Sequence, residues 1–526
     1  MSSGADEALP SPPALARSAR VVPWLAPLLV FAVALRAVNA YPVGATHDDA
    51  VYVVLAKALA TGQGFRYLNL PGAPLAAHFP PGYPALLALL WWAAPAFPAN
   101  VVVFKIVNAL LVAVAAFWLV RFAQARVRLS APLAGAVAVV LSIGVPTLVL
   151  SALVMSEPLF LAIALPVLLL GERLGDGERG AGWLVAAGLL AGIATLVRSQ
   201  GIALVGALVL VLCLRRRFRD AFVCGGVAAA VVAPWQWWVH AHAGGLPAPL
   251  SGTYGPYGPW FADAVRTGGL AFVVRTLGAT SHAIASMLAL LVAPVPGRAA
   301  GVAALALLLG LAALGAWRLW GAAPVTALFL ALYLGIVLVW PYTPARFVWG
   351  VWPLLVALPL LGIRALWRWE LPAPVSRRAR AWLLVAAAVP AVGYLRYNVR
   401  GYRGAWWENI PRQRGEELRA VVMKIRADTP AGAVLCSNDD AAIYLYTGHQ
   451  AVPSASAAAA DFLHPPTVAK DADVLRDILT AYHVDGVIVT TPYQRDVADL
   501  LVQRHPPVLA LTDSFPSGLI YSPIPR

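Results

Sequence analysis

Residues 21–40 read VVPWLAPLLVFAVALRAVNA, twenty residues with a single charge at Arg36. About 20 apolar helical residues cross the hydrocarbon core of a bilayer, so this run predicts a membrane-spanning helix. A signal peptide cleaved after Ala40 is the alternative. The length of the apolar part and the apolar chain downstream favour a retained anchor. The whole chain of 526 residues is 60% hydrophobic and 12% charged, with a mean hydropathy of +0.73. So little polar surface excludes an ordinary soluble globular protein. The short alternating segments of a β-barrel are also missing.

The net charge of +14 sits in short basic clusters between apolar runs, such as RRRFRD (215–220) and SRRARA (376–381). That is the cytoplasmic arginine excess of membrane proteins, and no nucleic-acid partner is expected. Cys213, Cys224 and Cys436 show no metal-binding spacing and imply no disulfide framework. Residues 1–20, polar and rich in Pro, Ser and Ala, predict a disordered cytoplasmic tail.

Arg17 and Arg20 precede the first span and place the N-terminus inside and residue 41 outside. Residues 41–98 are too polar and proline-rich for one span. They predict a large external loop with a short helix at 50–60 and an apolar piece, GYPALLALLWWAAPAF, from Gly82. Further spans are expected near 100–120, 131–152, 157–171, 181–197, 201–214, 221–239, 299–317, 323–340, 347–363 and 381–395. A second large external loop, with partly apolar helices, is expected at 240–298. The fold class is therefore a polytopic α-helical membrane protein of about eleven spans, with a membrane domain over 21–400. Residues 401–526 alternate helix-like and β-rich pieces and predict a small C-terminal α/β extracytoplasmic domain.

This threading gathers Asp48, Asp49, His78, Glu157, Arg198 and Arg346 at the outer membrane surface. Ionisable groups collected at one end of a helical bundle point to a site. In DDAVY (48–52), Asp48 and Tyr52 share a helix face. One acid of the pair caps the helix, which leaves the other as a base or metal ligand. AHFPPGYP (77–84) enters the next apolar helix through two prolines, with His78 able to donate to an anion or to face water. Glu157 in MSEP starts a span, where it meets the helix dipole and can also act chemically. Arg198 and Arg346 interrupt apolar sequence and can hold a lipid phosphate or snorkel to headgroups.

The acid pair followed by Tyr52, the Pro-Pro-Gly-Tyr-Pro entry containing Tyr83, and the later acid and arginines resemble the membrane-embedded GT-C glycosyltransferases. The similarity is to their polyprenyl-phosphate-sugar-dependent branch, which includes protein O-mannosyltransferases and aminoarabinose transferases. It covers roughly residues 20–400. The resemblance implies that Asp48 is the general base, with Asp49 where the family usually has Glu. It also implies donor or substrate contacts from Tyr52, His78, Tyr83, Arg198 and Arg346. Many members carry Lys before the Pro-Pro; here Phe79 stands there, preceded by His78. A divalent metal on Glu157 with Asp48 or Asp49 is one option, and arginine without metal is the other.

The implied activity moves a hexosyl or pentosyl unit from polyprenyl phosphate to an acceptor outside the cell membrane: an envelope lipid, a glycan or a protein. A bacterial inner membrane is the implied location. A flippase for lipid-linked sugars and a glycan ligase or polymerase are the alternative readings. A flippase would carry internal repeats and charges at mid-membrane depth, and neither is seen in this sequence.

Overall fold

The computed structural model describes residues 13–524, except 179, 247, 369 and 371–375. The first twelve residues of the expected disordered tail lie outside the described residues. Pro13–Leu35 form α1, which starts eight residues before the apolar run.

The bundle is built from α4 (Asn100–Ala125), α5 (Ala131–Ser142), α6 (Val145–Ala152), α7 (Glu157–Gly175), α8 (Ala181–Val197), α9 (Ile202–Leu214) and α10 (Phe218–His242). It continues with α12 (Tyr257–Val292), α13 (Arg298–Ala322), α14 (Pro324–Val339), α15 (Ala345–Gly350), α16 (Trp352–Arg368) and α17 (Arg377–Arg403). Between α1 and α4 lie the short helices α2 (His47–Ala60) and α3 (Gly82–Ala93), and before α12 the single turn α11 (Ser251–Tyr254). Among the described residues, six helices are long and apolar enough to cross a membrane, and a bent pair makes a seventh candidate. Five further apolar helices are shorter than this length test requires, so length alone does not return the eleven spans expected.

Two segments differ from expectation. The single span expected at 131–152 is broken into α5 and α6 with a bend of 61°. Backbone groups freed inside a membrane must find partners, and α17 supplies them. Asn398 accepts from the Val145 N–H at 2.9 Å, and the Tyr402 hydroxyl donates to the Ile143 carbonyl at 2.8 Å. The second loop, expected over 240–298, is largely the 36-residue α12. It is long and apolar enough to cross a membrane and is kinked where Gly269 takes a φ of 58°.

The C-terminal unit follows α18 (Trp406–Asp428). It comprises β1 (Leu435–Cys436), α19 (Asp440–Thr447), β2 (Ala451–Val452), α20 (Val468–Tyr482), β3 (Gly486–Val489), α21 (Pro492–Gln503), β4 (Leu509–Phe515) and β5 (Gly518–Pro523). The sheet order is β2-β1-β3-β5-β4, with β1 parallel to both neighbours and β5 antiparallel to β3 and β4. This small mixed sheet docks on the first loop. The Ala451 N–H donates to the Asn69 carbonyl at 2.7 Å, and the Gln450 amide donates to the Leu70 carbonyl at 3.1 Å.

Candidate active site

Thr46 is the N-cap of α2, and Asp49 completes its capping box. Asp49 Oδ1 accepts from the N–H groups of Gly44 and Thr46, each at 3.1 Å, and of Ala50 at 3.0 Å. This acid is buried and serves the backbone. It was expected beside Asp48 as a catalytic candidate, but it does not line the cavity. Burial pushes its carboxyl up to about 6 against the backbone donors.

Asp48 points the other way, into a cavity of about 130 Å³. Its Oδ2 accepts from Arg346 Nη1. Burial alone would raise this carboxyl. The Arg346 charge and hydrogen bond, with the charge of His47, outweigh burial and hold it below the usual carboxylate range.

Arg346 enters from α15 and forks, its Nε donating to Glu157 Oε1 at 2.6 Å. Arg198, at the C-terminal end of α8, pairs its Nη1 with the same oxygen at 2.7 Å and donates it to Ser156 Oγ at 3.0 Å. Ser156 Oγ lies 3.3 Å from the Tyr52 hydroxyl. The chain Asp48–Arg346–Glu157–Arg198–Ser156–Tyr52 therefore joins α2, α7, α8 and α15. Gly82 lets the start of α3 approach the end of α8, since a Cβ there would sit 2.8 Å from the Leu196 carbonyl. Among the described residues, Glu157 Oε2 and Arg198 Nε are buried without a partner.

His78 Nδ1 lies 2.5 Å from the Gly255 carbonyl, which assigns the proton to Nδ1 and leaves Nε2 unprotonated. Burial lowers its pKa to about 4. Tyr83 does not reach the cavity. It packs edge-on against Tyr52, its ring centroid 5.1 Å away, and donates to Asn108 at 3.2 Å. Glu157 likewise stands behind the two arginines.

The described residues contain no group of three or more His, Cys, Asp or Glu side chains placed to hold a metal. The residues present do not fit a divalent ion. Asp49 faces backbone amides, while Asp48 and Glu157 are each bound to arginine, which supplies the positive charge instead.

Several contributors escaped the sequence reading. Tyr257, Trp260, Trp340 and Tyr342 wall the cavity with aromatic rings. Their signal lay in GTYGPYGPW (252–260), inside the second expected loop, and in WPYTPARF (340–347), which contains Arg346. From the C-terminal unit, Asp440 takes His47 Nε2 at 3.1 Å and the Asn69 amide at 2.9 Å, and it accepts from the Tyr254 hydroxyl. The only sequence signal for it was the SNDD run at 437–440. Burial opposes charge on His47. The charge and hydrogen bond of Asp440, helped by Asp48 and Asp439, prevail and raise its pKa to about 9.

A polytopic helical bundle with an acid–arginine pocket at one end and a small α/β unit docked beside it is the fold that this chain shares with solved proteins. The chain is similar over nearly its whole length to ArnT from Cupriavidus metallidurans, solved bound to undecaprenyl phosphate. That similarity has a TM-score of 0.54 at 12% identity, covering 95% of this chain and 97% of that one. The same protein in the apo state matches at 0.54 and 13%, with the same coverage. The oligosaccharyltransferase of Archaeoglobus fulgidus, tethered with an acceptor peptide containing the NVT sequon, matches at 0.51 and 13% identity, covering 90% of this chain and 70% of that one. At these identities the likeness is one of fold. No protein-family model matches the chain, and no curated protein sequence matches it.

Proposed function

We propose that this protein transfers one sugar from a polyprenyl-phosphate donor to a hydroxyl of an acceptor on the outer side of a bacterial inner membrane. The observation that carries the reading is the fork of Arg346 between Asp48, which faces the cavity, and Glu157, which is buried behind it.

In the resting arrangement Arg346 holds the Asp48 carboxylate and weakens it as a base. An arriving donor phosphate competes for the same guanidinium and also meets Arg198, whose Nε is an unpartnered buried donor. Release from Arg346 restores the basicity of Asp48. Its carboxylate then takes the acceptor O–H proton, and the oxygen attacks the anomeric carbon. The bond from that carbon to the phosphate oxygen breaks, and the new negative charge on the leaving phosphate falls to Arg346 and Arg198. A single displacement of this kind inverts the anomeric configuration. The aromatic walls from Tyr257 to Tyr342 suit the apolar face of a sugar ring. The neutral His78 contributes a polar edge without adding charge.

The test is the envelope glycolipid and glycoprotein profile of cells lacking the protein, complemented with wild type or Asp48→Asn at matched membrane levels. Wild type should restore one sugar on one acceptor. The variant should fall short by about 10²–10⁴-fold in rate, the usual contribution of a general base. Full restoration by the variant would remove Asp48 as the base and favour a flippase.

A further inference from the structure

The far end of the bundle carries a second pair of cavities that the transfer reaction does not use. α7 begins at the pocket with Glu157 and ends at Gly175. Its 19 residues, at about 1.5 Å each, span about 28 Å, close to one hydrocarbon thickness. An apolar cavity of about 520 Å³ opens there between α4, α5 and α16, lined by Leu119, Phe122, Leu133, Leu141 and Leu358. It shares Val127, Leu361, Arg364 and Arg368 with an adjoining polar cleft of about 530 Å³. A hydrocarbon slot therefore runs directly into a charged one.

Five arginines line the polar cleft, against the two acids Asp176 and Glu370. The acids are already engaged. Arg126 grips Asp176 with both terminal nitrogens at 2.5 and 3.2 Å, and Arg318 pairs with Glu370 at 2.6 Å. Arg364 gives one Nη to the Val127 carbonyl at 2.6 Å and keeps its remaining donors. Arg128 and Arg368 are exposed, and neither has an ion-pair partner among the described residues. A general excess of arginine at a membrane surface needs no slot beside it, whereas here three guanidinium groups without an ion-pair partner among the described residues rim an apolar cavity.

We propose that this is a binding site for an anionic glycerophospholipid. Its phosphate would sit on Arg128, Arg364 and Arg368, with one acyl chain in the slot between α4, α5 and α16. The slot requires a lipid rather than a soluble phosphate. The surplus of positive charge requires an anionic headgroup, because both acids of the cleft are already paired and leave nothing to hold a choline ammonium.

The full-length protein, delipidated in detergent, is titrated with phosphatidylglycerol, phosphatidylcholine or inorganic phosphate. Bound lipid is read by native mass spectrometry, and the shift in thermal transition is followed in parallel. One phosphatidylglycerol per chain is expected, with a Kd at least tenfold tighter than for phosphatidylcholine and no stabilisation by phosphate alone. The double variant Arg128→Gln/Arg368→Gln removes two exposed, unpaired charges and should weaken phosphatidylglycerol at least tenfold. A control, Arg215→Gln/Arg216→Gln, takes the same charge from another basic cluster and should leave binding unchanged, as should Asp48→Asn. Equal binding of phosphatidylcholine, an unaffected double variant, or equal loss in the control would overturn the site. So would displacement of phosphatidylglycerol by polyprenyl phosphate at lower concentration.

Discussion

Successive residues of a helix point about 100° apart, and in α2 that angle separates two acids with different environments. Asp49 turns to the backbone amides of the helix start, and Asp48 turns to Arg346 and the cavity. Replacing Asp49 by Asn keeps an oxygen for those amides and removes a buried charge. The Asp49 carboxyl is raised from 3.8 to about 6 in the folded protein. Its protonation therefore favours the fold fully below about 3.8, and that contribution is lost as pH rises through about 6. Asp49→Asn should keep transfer within about threefold of wild type above pH 7, while Asp49→Ala should cost about 0.5–2 kcal/mol of stability through the lost cap. Thermal denaturation and transfer assays on matched membranes check both. Arg346→Lys keeps the charge but loses the fork, since one ammonium cannot serve Asp48 and Glu157 with fixed geometry. It should lose about 10²–10³-fold in transfer rate, and an unchanged rate would show that the fork is dispensable.

The starts of α2 and α19 meet through His47 and Asp440, which adds a titratable tie to the contacts between the first long loop and the C-terminal unit. His47 is raised from 6.5 to about 9 in the folded protein. The stability it adds is present in full below about pH 6.5 and is lost as pH rises through about 9. Hydrogen exchange should therefore show α19 and residues 66–78 losing protection between those values in wild type. In Asp440→Asn the step should disappear. The variant also leaves Tyr254 and Asn69 short of an ionised acceptor, a cost of about 1–3 kcal/mol. An unchanged pH step in the variant would show that another group titrates.

Close helix approach sets the shape of the bundle as a whole. Gly315 of α13 and Gly362 of α16 face each other so closely that a Cβ on either would strike the partner backbone, at the Leu358 and Leu311 carbonyls. Small residues at such crossings let helices approach where lipid offers no hydrophobic drive. Gly315→Leu should push α16 away and lower the thermal transition by several degrees, with fewer monodisperse molecules in size-exclusion chromatography. The same displacement would widen the slot beside Leu358, so phosphatidylglycerol binding should weaken with it. Retained packing and binding in this variant would show that the contact bears little of the structure.

By itself, the sequence determined the membrane-embedded helical class, because runs such as 100–125 and 298–322 satisfy a length and hydropathy requirement that is local to each segment. It also holds the acids and arginines that the structure brings together around Arg346. The tertiary structure alone decided which acid is the cap, because both sit in the same helical turn and the sequence cannot say which meets Arg346. It alone turned 131–152 into a bent pair, since the partners for the freed backbone, Asn398 and Tyr402, lie about 250 residues away in the chain. It alone brought Asp440 to His47, across 393 positions, for the same reason: ion pairs depend on distance in space, and nothing in a local pattern records it.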